Sequence, residues 1–256
     1  MIALSKYLYI VDDLKWSFID AILNKRIKES IFWITEYYES GYRKETWQLL
    51  WVVYDSFYFA NNVNYQKIML KKYKKWKKTD DFMCILDVVY KFYKMKNFDF
   101  AFFKIYFGSL KYKKTHREIS DNLYIKLGLN RKNIFKNLIC GLEDEDYKCI
   151  WFFINLNYKV SLYFIEKYYD NNVSISYDNI RDKKVQLLNY VYITNNPKLK
   201  NKKNFTIKAR KDYVEFYKNL LVDQGKYNYK KLEKRRLYGV PQSIGCFNLE
   251  RFNFSD

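Results

Sequence analysis

Seven glycines and two prolines in 256 residues leave this chain few places to turn sharply. Tight turns draw on these residues because Gly tolerates positive φ and Pro pre-sets φ near its turn value. A sandwich or barrel of many short strands needs such a turn about every 8–12 residues. A chain so poor in turn-formers suits helices joined by short polar loops. Hydrophobic residues make up 49% of the chain and aromatics 21%, ample material for a core, which excludes a disordered tail. The expectation is an all-α fold.

Apolar residues recur at helical spacing along most of the chain. Leu14, Phe18, Ile19, Ile22 and Leu23 share one face, with Asp12 or Asp13 placed to cap it. Ile27, Ile31, Ile34 and Tyr38 repeat the pattern, and Gly41 stands where a helix end favours a left-handed residue. A third helix is expected from Lys44 to Ala60 through Trp47, Leu50, Trp51, Tyr54 and Tyr58. A fourth covers Tyr65 to Lys78, and Thr79, Asp80 and Asp81 cap a fifth. Further helices fall near 98–107, 118–128, 131–140, 144–156, 158–169 and 180–193. Paired antiparallel, they form hairpins of roughly 25–40 residues, the scale of HEAT-like helical repeats. No repeat consensus is legible, so a HEAT-like array and an irregular helical bundle both remain open. The organisation expected is a helical domain over 1–194 and a basic C-terminal extension with a short helix over 195–256.

The charge is unevenly placed. Net charge is +19. Residues 65–78 carry seven Lys and no acid, and residues 195–236 carry 14 Lys or Arg against four acids, so the two stretches hold +17 of it. An AT-rich coding bias toward Lys, Asn, Tyr, Phe and Ile acts everywhere and does not localise charge in this way. On a helix over 65–78, Tyr65, Met69, Tyr73 and Trp76 lie within about 80° of one another, with Lys67, Lys71, Lys74 and Lys78 opposite. The aromatics are therefore expected to pack inward and the lysines to face water, where they suit a phosphate backbone. The second region begins as a loop or short strand pair, NNPKLKNKKNFTIKARK (195–211), and ends in a helical pattern, YKKLEKRRLY (229–238). It adds Lys202, Lys203, Arg210, Lys234, Arg235 and Arg236 to the candidate nucleic-acid-binding residues.

Nothing comparable points to catalysis. His116 is the single histidine, in the polar stretch KYKKTHRE, where a surface position is expected. Glu143, Asp144, Glu145 and Asp146 could hold a metal, but they stand before a helix start, where acids favour the N-terminal dipole. There is no phosphate-cradling Gly-rich loop and no zinc-spaced Cys or His. The expected catalytic, cofactor and metal sets are empty. Cys84, Cys140, Cys149 and Cys246 show no CxxC spacing and read as core thiols of a reducing compartment. The start, MIALSKYLYIVDD, has no apolar run long enough for a signal peptide, and CIWFFI and LLWVVY are far too short to span a bilayer. A soluble, intracellular protein is expected.

The fragment DDLKWSFIDAILNKRIKESIFWITEYYESG (12–41), followed by ETWQLLWVVYDSFY (45–58), resembles a family of uncharacterised helical proteins from giant nucleocytoplasmic DNA viruses, the mimivirus relatives. KKLEKRRLYGV (230–240) adds to the likeness. The resemblance implies a protein of the infected cytoplasm and its viral factory, and carries no site residues over. Two functions fit this setting. The first is a helical scaffold binding nucleic acid, RNA favoured, and a viral nucleic-acid enzyme, by fold-level analogy with the translation-initiation scaffold that engages a DEAD-box helicase. The second is a virion structural or genome-packaging component.

Overall fold

The structure, a computed structural model, describes residues 5, 9–95, 98–108, 117–174, 180–201 and 207–224. The fold is all-α. Its helices are α1 (Val11–Leu23), α2 (Ile27–Glu39), α3 (Arg43–Val53), α4 (Tyr65–Thr79), α5 (Met83–Lys94), α6 (Ala101–Phe107), α7 (Asp121–Leu127), α8 (Lys136–Glu143), α9 (Tyr147–Leu156), α10 (Tyr158–Tyr169), α11 (Lys183–Asn195) and α12 (Lys211–Gln224). No β-strand forms among the described residues. The region after Asn195, expected as loop or strand pair, instead starts with a 3-10 turn over Pro197–Asn201. The basic helical pattern at 229–238 lies outside the described residues.

The chain divides into two compact units. The first comprises the described residues within Met1–Val53, Gln66–Phe98 and Phe205–Asp256. Here α5 packs against α1, α2 and α3, and α12 packs against α2. Ile85, Leu86, Val88, Val89 and Phe92 on α5 are fully buried. Each such side chain stabilises by about 1.5–3 kcal/mol relative to exposure. In a linear repeat array each hairpin touches only its neighbours. Here one helix, α5, is met by three others, and α12 returns to the second helix of the chain. The sequence periodicity missed α12, whose Tyr217 stacks on Phe82 at 4.3 Å.

Helix ends differ from expectation in instructive ways. Asp12 and Asp13 lie inside the first turn of α1 rather than at its cap, which is Ile10, and Lys15 donates to Asp12 at 2.8 Å. The N-cap of α5 is Phe82 rather than any of Thr79–Asp81, though Asp81 just before it accepts the Met83 N–H at 2.9 Å. Asp80 instead turns the chain at φ 49°, and Gly41 does so at φ 95° after α2.

The second unit comprises Tyr54–Tyr65 and the described residues of Asp99–Asn204. α9 is its centre, packing on α6, α8, α10 and α11. The helix expected over 44–60 is not uniform: after α3 the chain widens into a π-helical turn, Tyr54–Tyr58, then a 3-10 turn, Phe59–Asn61. The wide turn buries Asp55, which meets Arg181 Nε at 2.8 Å, Arg181 Nη2 at 2.5 Å and Asn189 Nδ2 at 2.9 Å. Tyr106 Oη donates to Asn189 Oδ1 at 2.7 Å and extends the network. Removal from water pushes the Asp55 carboxyl up while Arg181 and Asn189 pull it back. The pairing with Asp55 outweighs burial at Arg181 and holds its guanidinium above the ordinary value. A guanidinium charged in so closed a site requires an ionised Asp55 beside it.

Candidate nucleic-acid interface

α4 has the composition of a surface helix whose buried edge is aromatic. Tyr65, Met69, Tyr73 and Trp76 are all buried, with Met69 fully so. Lys67, Lys71, Lys74 and Lys78 are all exposed, on the opposite side. Tyr73 and Trp76 stack on each other at 5.8 Å, and Trp47 of α3 packs on them at 5.5 and 5.9 Å. Such pairs add about 0.5–1.5 kcal/mol beyond the area they bury.

A hydrogen-bond chain fixes the helix end. Trp76 Nε1 donates to Tyr38 Oη at 3.1 Å, and that hydroxyl donates to Asp80 Oδ1 at 2.5 Å. Arg43 pairs with the same Asp80 carboxylate, its guanidinium carbon 5.2 Å from the Tyr38 ring centroid. Burial, with the bond to Asp80 next, pushes Tyr38 up to about 12, so it is a neutral donor at physiological pH. With its N–H held and its face covered, the Trp76 indole is core rather than a base-stacking platform.

Six of the seven lysines of α4 fall into two sets; the seventh, Lys77, is exposed and has no paired carboxylate among the described residues. On the flank toward α5 they are neutralised: Lys72 pairs with Asp87, and Lys75 with Asp81 at 3.2 Å. Among the described residues, no carboxylate pairs with Lys67, Lys71, Lys74 or Lys78. Sequence reasoning missed Asp87, which is 8% exposed. Its second oxygen accepts the Ala209 N–H at 2.8 Å, so it ties α4 to the chain just before α12. Its partners lie 15 and 122 residues away, a separation that no local pattern reports.

The second basic region contributes less than expected. Arg210 is exposed but bound to Asp212, with Nε and Nη2 each 3.1 Å from a carboxylate oxygen, and it covers the Tyr213 ring at 5.5 Å. It shapes the start of α12. Lys202, Lys203, Lys234, Arg235 and Arg236 lie outside the described residues, as do His116 and Cys246.

The acids at 143–146 divide their work. Asp146 caps α9, accepting the Lys148 and Cys149 N–H groups at 3.1 Å each. Glu143 and Asp144, expected at a helix start, instead end α8 and clamp Arg117, the Glu143 contact measuring 2.7 Å. Among the described residues no group of three or more His, Cys, Asp or Glu is arranged to hold a metal ion. Cys84, Cys140 and Cys149 are free thiols, and burial pushes Cys149 up to about 12. No helix among the described residues is long and apolar enough to cross a membrane. No protein-family model matches the chain, and no curated protein or solved structure matches it either.

Proposed function

We propose that the chain is a non-enzymatic helical scaffold that grips the phosphate backbone of single-stranded nucleic acid, RNA favoured, through the outer face of α4. One observation carries the reading. Lys72 and Lys75, on the flank toward α5, are matched with acids, while Lys67, Lys71, Lys74 and Lys78, with Lys77 beside them, stand together in water without any among the described residues. Like charges at (i, i+4) repel by a few tenths of a kcal/mol per pair, and a bound polyanion reverses that sign. With Tyr73 and Trp76 turned inward, the face offers charge and no base readout, so binding is sequence-independent. RNA and a protein partner of the helicase or transcription-factor kind are favoured by fold-level analogy with the translation-initiation scaffold, and the resemblance read from residues 12–58 would set that complex in infected cytoplasm. The non-enzymatic part rests on the structural roles found for Glu143, Asp144 and Asp146.

The test is binding of a fluorescein-labelled oligouridylate by the full chain. The four stripe contacts alone contribute about −2.8 to the log–log salt slope on a single strand, a loss of roughly 50-fold between about 50 and 200 mM salt, so the parent slope should be at least that steep. Changing Lys67, Lys71, Lys74 and Lys78 together to Glu abolishes binding and keeps the helical circular dichroism spectrum. Parental binding by that variant rejects the proposal.

A further inference from the structure

Asp87 has a consequence beyond the stripe itself. Lys72 Nζ and the Ala209 N–H sit on the two oxygens of its one carboxylate. The backbone at 209 therefore runs beside the carboxylate that also holds Lys72 on the α5 flank of α4. Residues 207–210 alternate half-buried, exposed, half-buried, exposed. This period-two pattern turns Lys208 outward with Arg210 while Ala209 faces Asp87. Lys211, the first residue of α12, is exposed too. Arg210 is occupied by Asp212, but no carboxylate among the described residues pairs with Lys208 or Lys211.

We propose that Asp87 is a positioning residue that seats the 207–211 segment against α4, joining Lys208 and Lys211 to the lysine stripe as one continuous track for a nucleic-acid backbone. The inference rests on the proposed binding by α4. An acid that improves binding of a polyanion is the reverse of what charge alone gives, and that reversal makes the idea testable.

Six contacts give a salt slope of about −4.2, a loss of roughly 300-fold between about 50 and 200 mM salt, against about −2.8 and roughly 50-fold for four. The probe is the oligouridylate and the readout is that slope, which a purely structural role does not set. Asp87→Ala removes both bonds, and its slope should fall to about −2.8. Asp87→Asn has the same net charge as Asp87→Ala but keeps an oxygen for the Ala209 N–H, and its slope should stay near the parent's. The exposed pair Lys208→Ala and Lys211→Ala should match Asp87→Ala, and decides the question if Asp87→Ala fails to fold. Equal slopes for Asp87→Ala and Asp87→Asn overturn the positioning role. A parental slope in the Lys208/Lys211 variant overturns the track. If the four-lysine Glu variant binds like the parent, the α4 reading itself fails, an outcome distinct from both.

Discussion

In the second unit Arg181 is 8% exposed at its side chain and held against Asp55 in a ring of donors and acceptors. In the first unit α4 turns Lys67, Lys71, Lys74 and Lys78 to water, and no acid among the described residues pairs with them. The same kind of charge is treated in opposite ways. At Arg181, withdrawal from water is tolerated because pairing is complete, and an incomplete version would be worse than an apolar core. On α4 solvation is complete and pairing is missing, so the charge stays available to a partner. A buried pair fixes structure, whereas an exposed stripe leaves its charge in solvent, where the proposed polyanion would meet it.

The largest expected effect tests the buried half. Arg181→Ala leaves an unpaired Asp55 inside the unit and should destabilise by about 3–5 kcal/mol, read from urea denaturation. Replacing both partners, Asp55→Leu with Arg181→Met, should recover much of that loss, since apolar side chains of similar size often match a buried ion pair. The loss should be nearly independent of salt. If Arg181→Ala costs less than about 1 kcal/mol, the pair behaves as an exposed one and the contrast collapses.

An effect of similar size tests the inner edge of α4. Trp76→Ala should destabilise by about 3–5 kcal/mol and affect RNA binding only through unfolding. Trp76→Phe keeps much of the ring contact with Trp47 and Tyr73 but loses the N–H bond to Tyr38, and it should bind oligouridylate like the parent. A folded Trp76→Phe protein that fails to bind would place the indole in the interface and invert the helix.

What could be read from the sequence divides along the same line. The orientation of α4 was legible because Tyr65, Met69, Tyr73 and Trp76 keep the helical period while the lysines keep its complement. The Asp81 bond to the first turn of α5 was legible because it is local. Asp55 was hidden: Trp47, Leu50, Trp51, Tyr54 and Tyr58 fit an ordinary α-helix. The π-helical turn answers to Arg181, 126 residues away. α12 was missed because its Tyr213 and Tyr217 lie in a stretch whose charge reads as extension. Asp87 looked like one polar residue on an apolar helix, its meaning set by Lys72 and Ala209. Periodicity reports which face is buried; it is silent on which distant group a buried charge will meet.

The next effect belongs to the exposed half. The Glu substitutions at Lys67, Lys71, Lys74 and Lys78 should remove at least about 100-fold in RNA affinity, near 2.7 kcal/mol. The melting temperature should move by only a few degrees, because these side chains touch no core. A collapse of stability would show that the stripe, like Arg181, is structural.

The smallest effect is the most discriminating, because its sign separates a ligand site from a solvated face. Lys67 is the third residue of α4, whose first turn holds no acid. A cation there opposes the helix dipole, by about 0.3–1 kcal/mol at low salt. It also repels Lys71 one turn on, by about 0.2–0.5 kcal/mol. Lys67→Glu reverses both terms, since Glu before Lys at (i, i+4) is the favourable order. The variant should therefore be more stable than the parent by about 1 kcal/mol, a rise of about 2–4 °C in melting temperature. The gain should vanish near 1 M salt, where the screening length is about 3 Å. Binding should move the other way, the salt slope losing about 0.7 for one phosphate contact. A residue that weakens its own helix while strengthening a complex is placed for the complex, as functional positions commonly are. If Lys67→Glu stabilises the protein and leaves oligouridylate binding untouched, Lys67 is merely a poorly placed surface charge. The binding face then begins at Lys71.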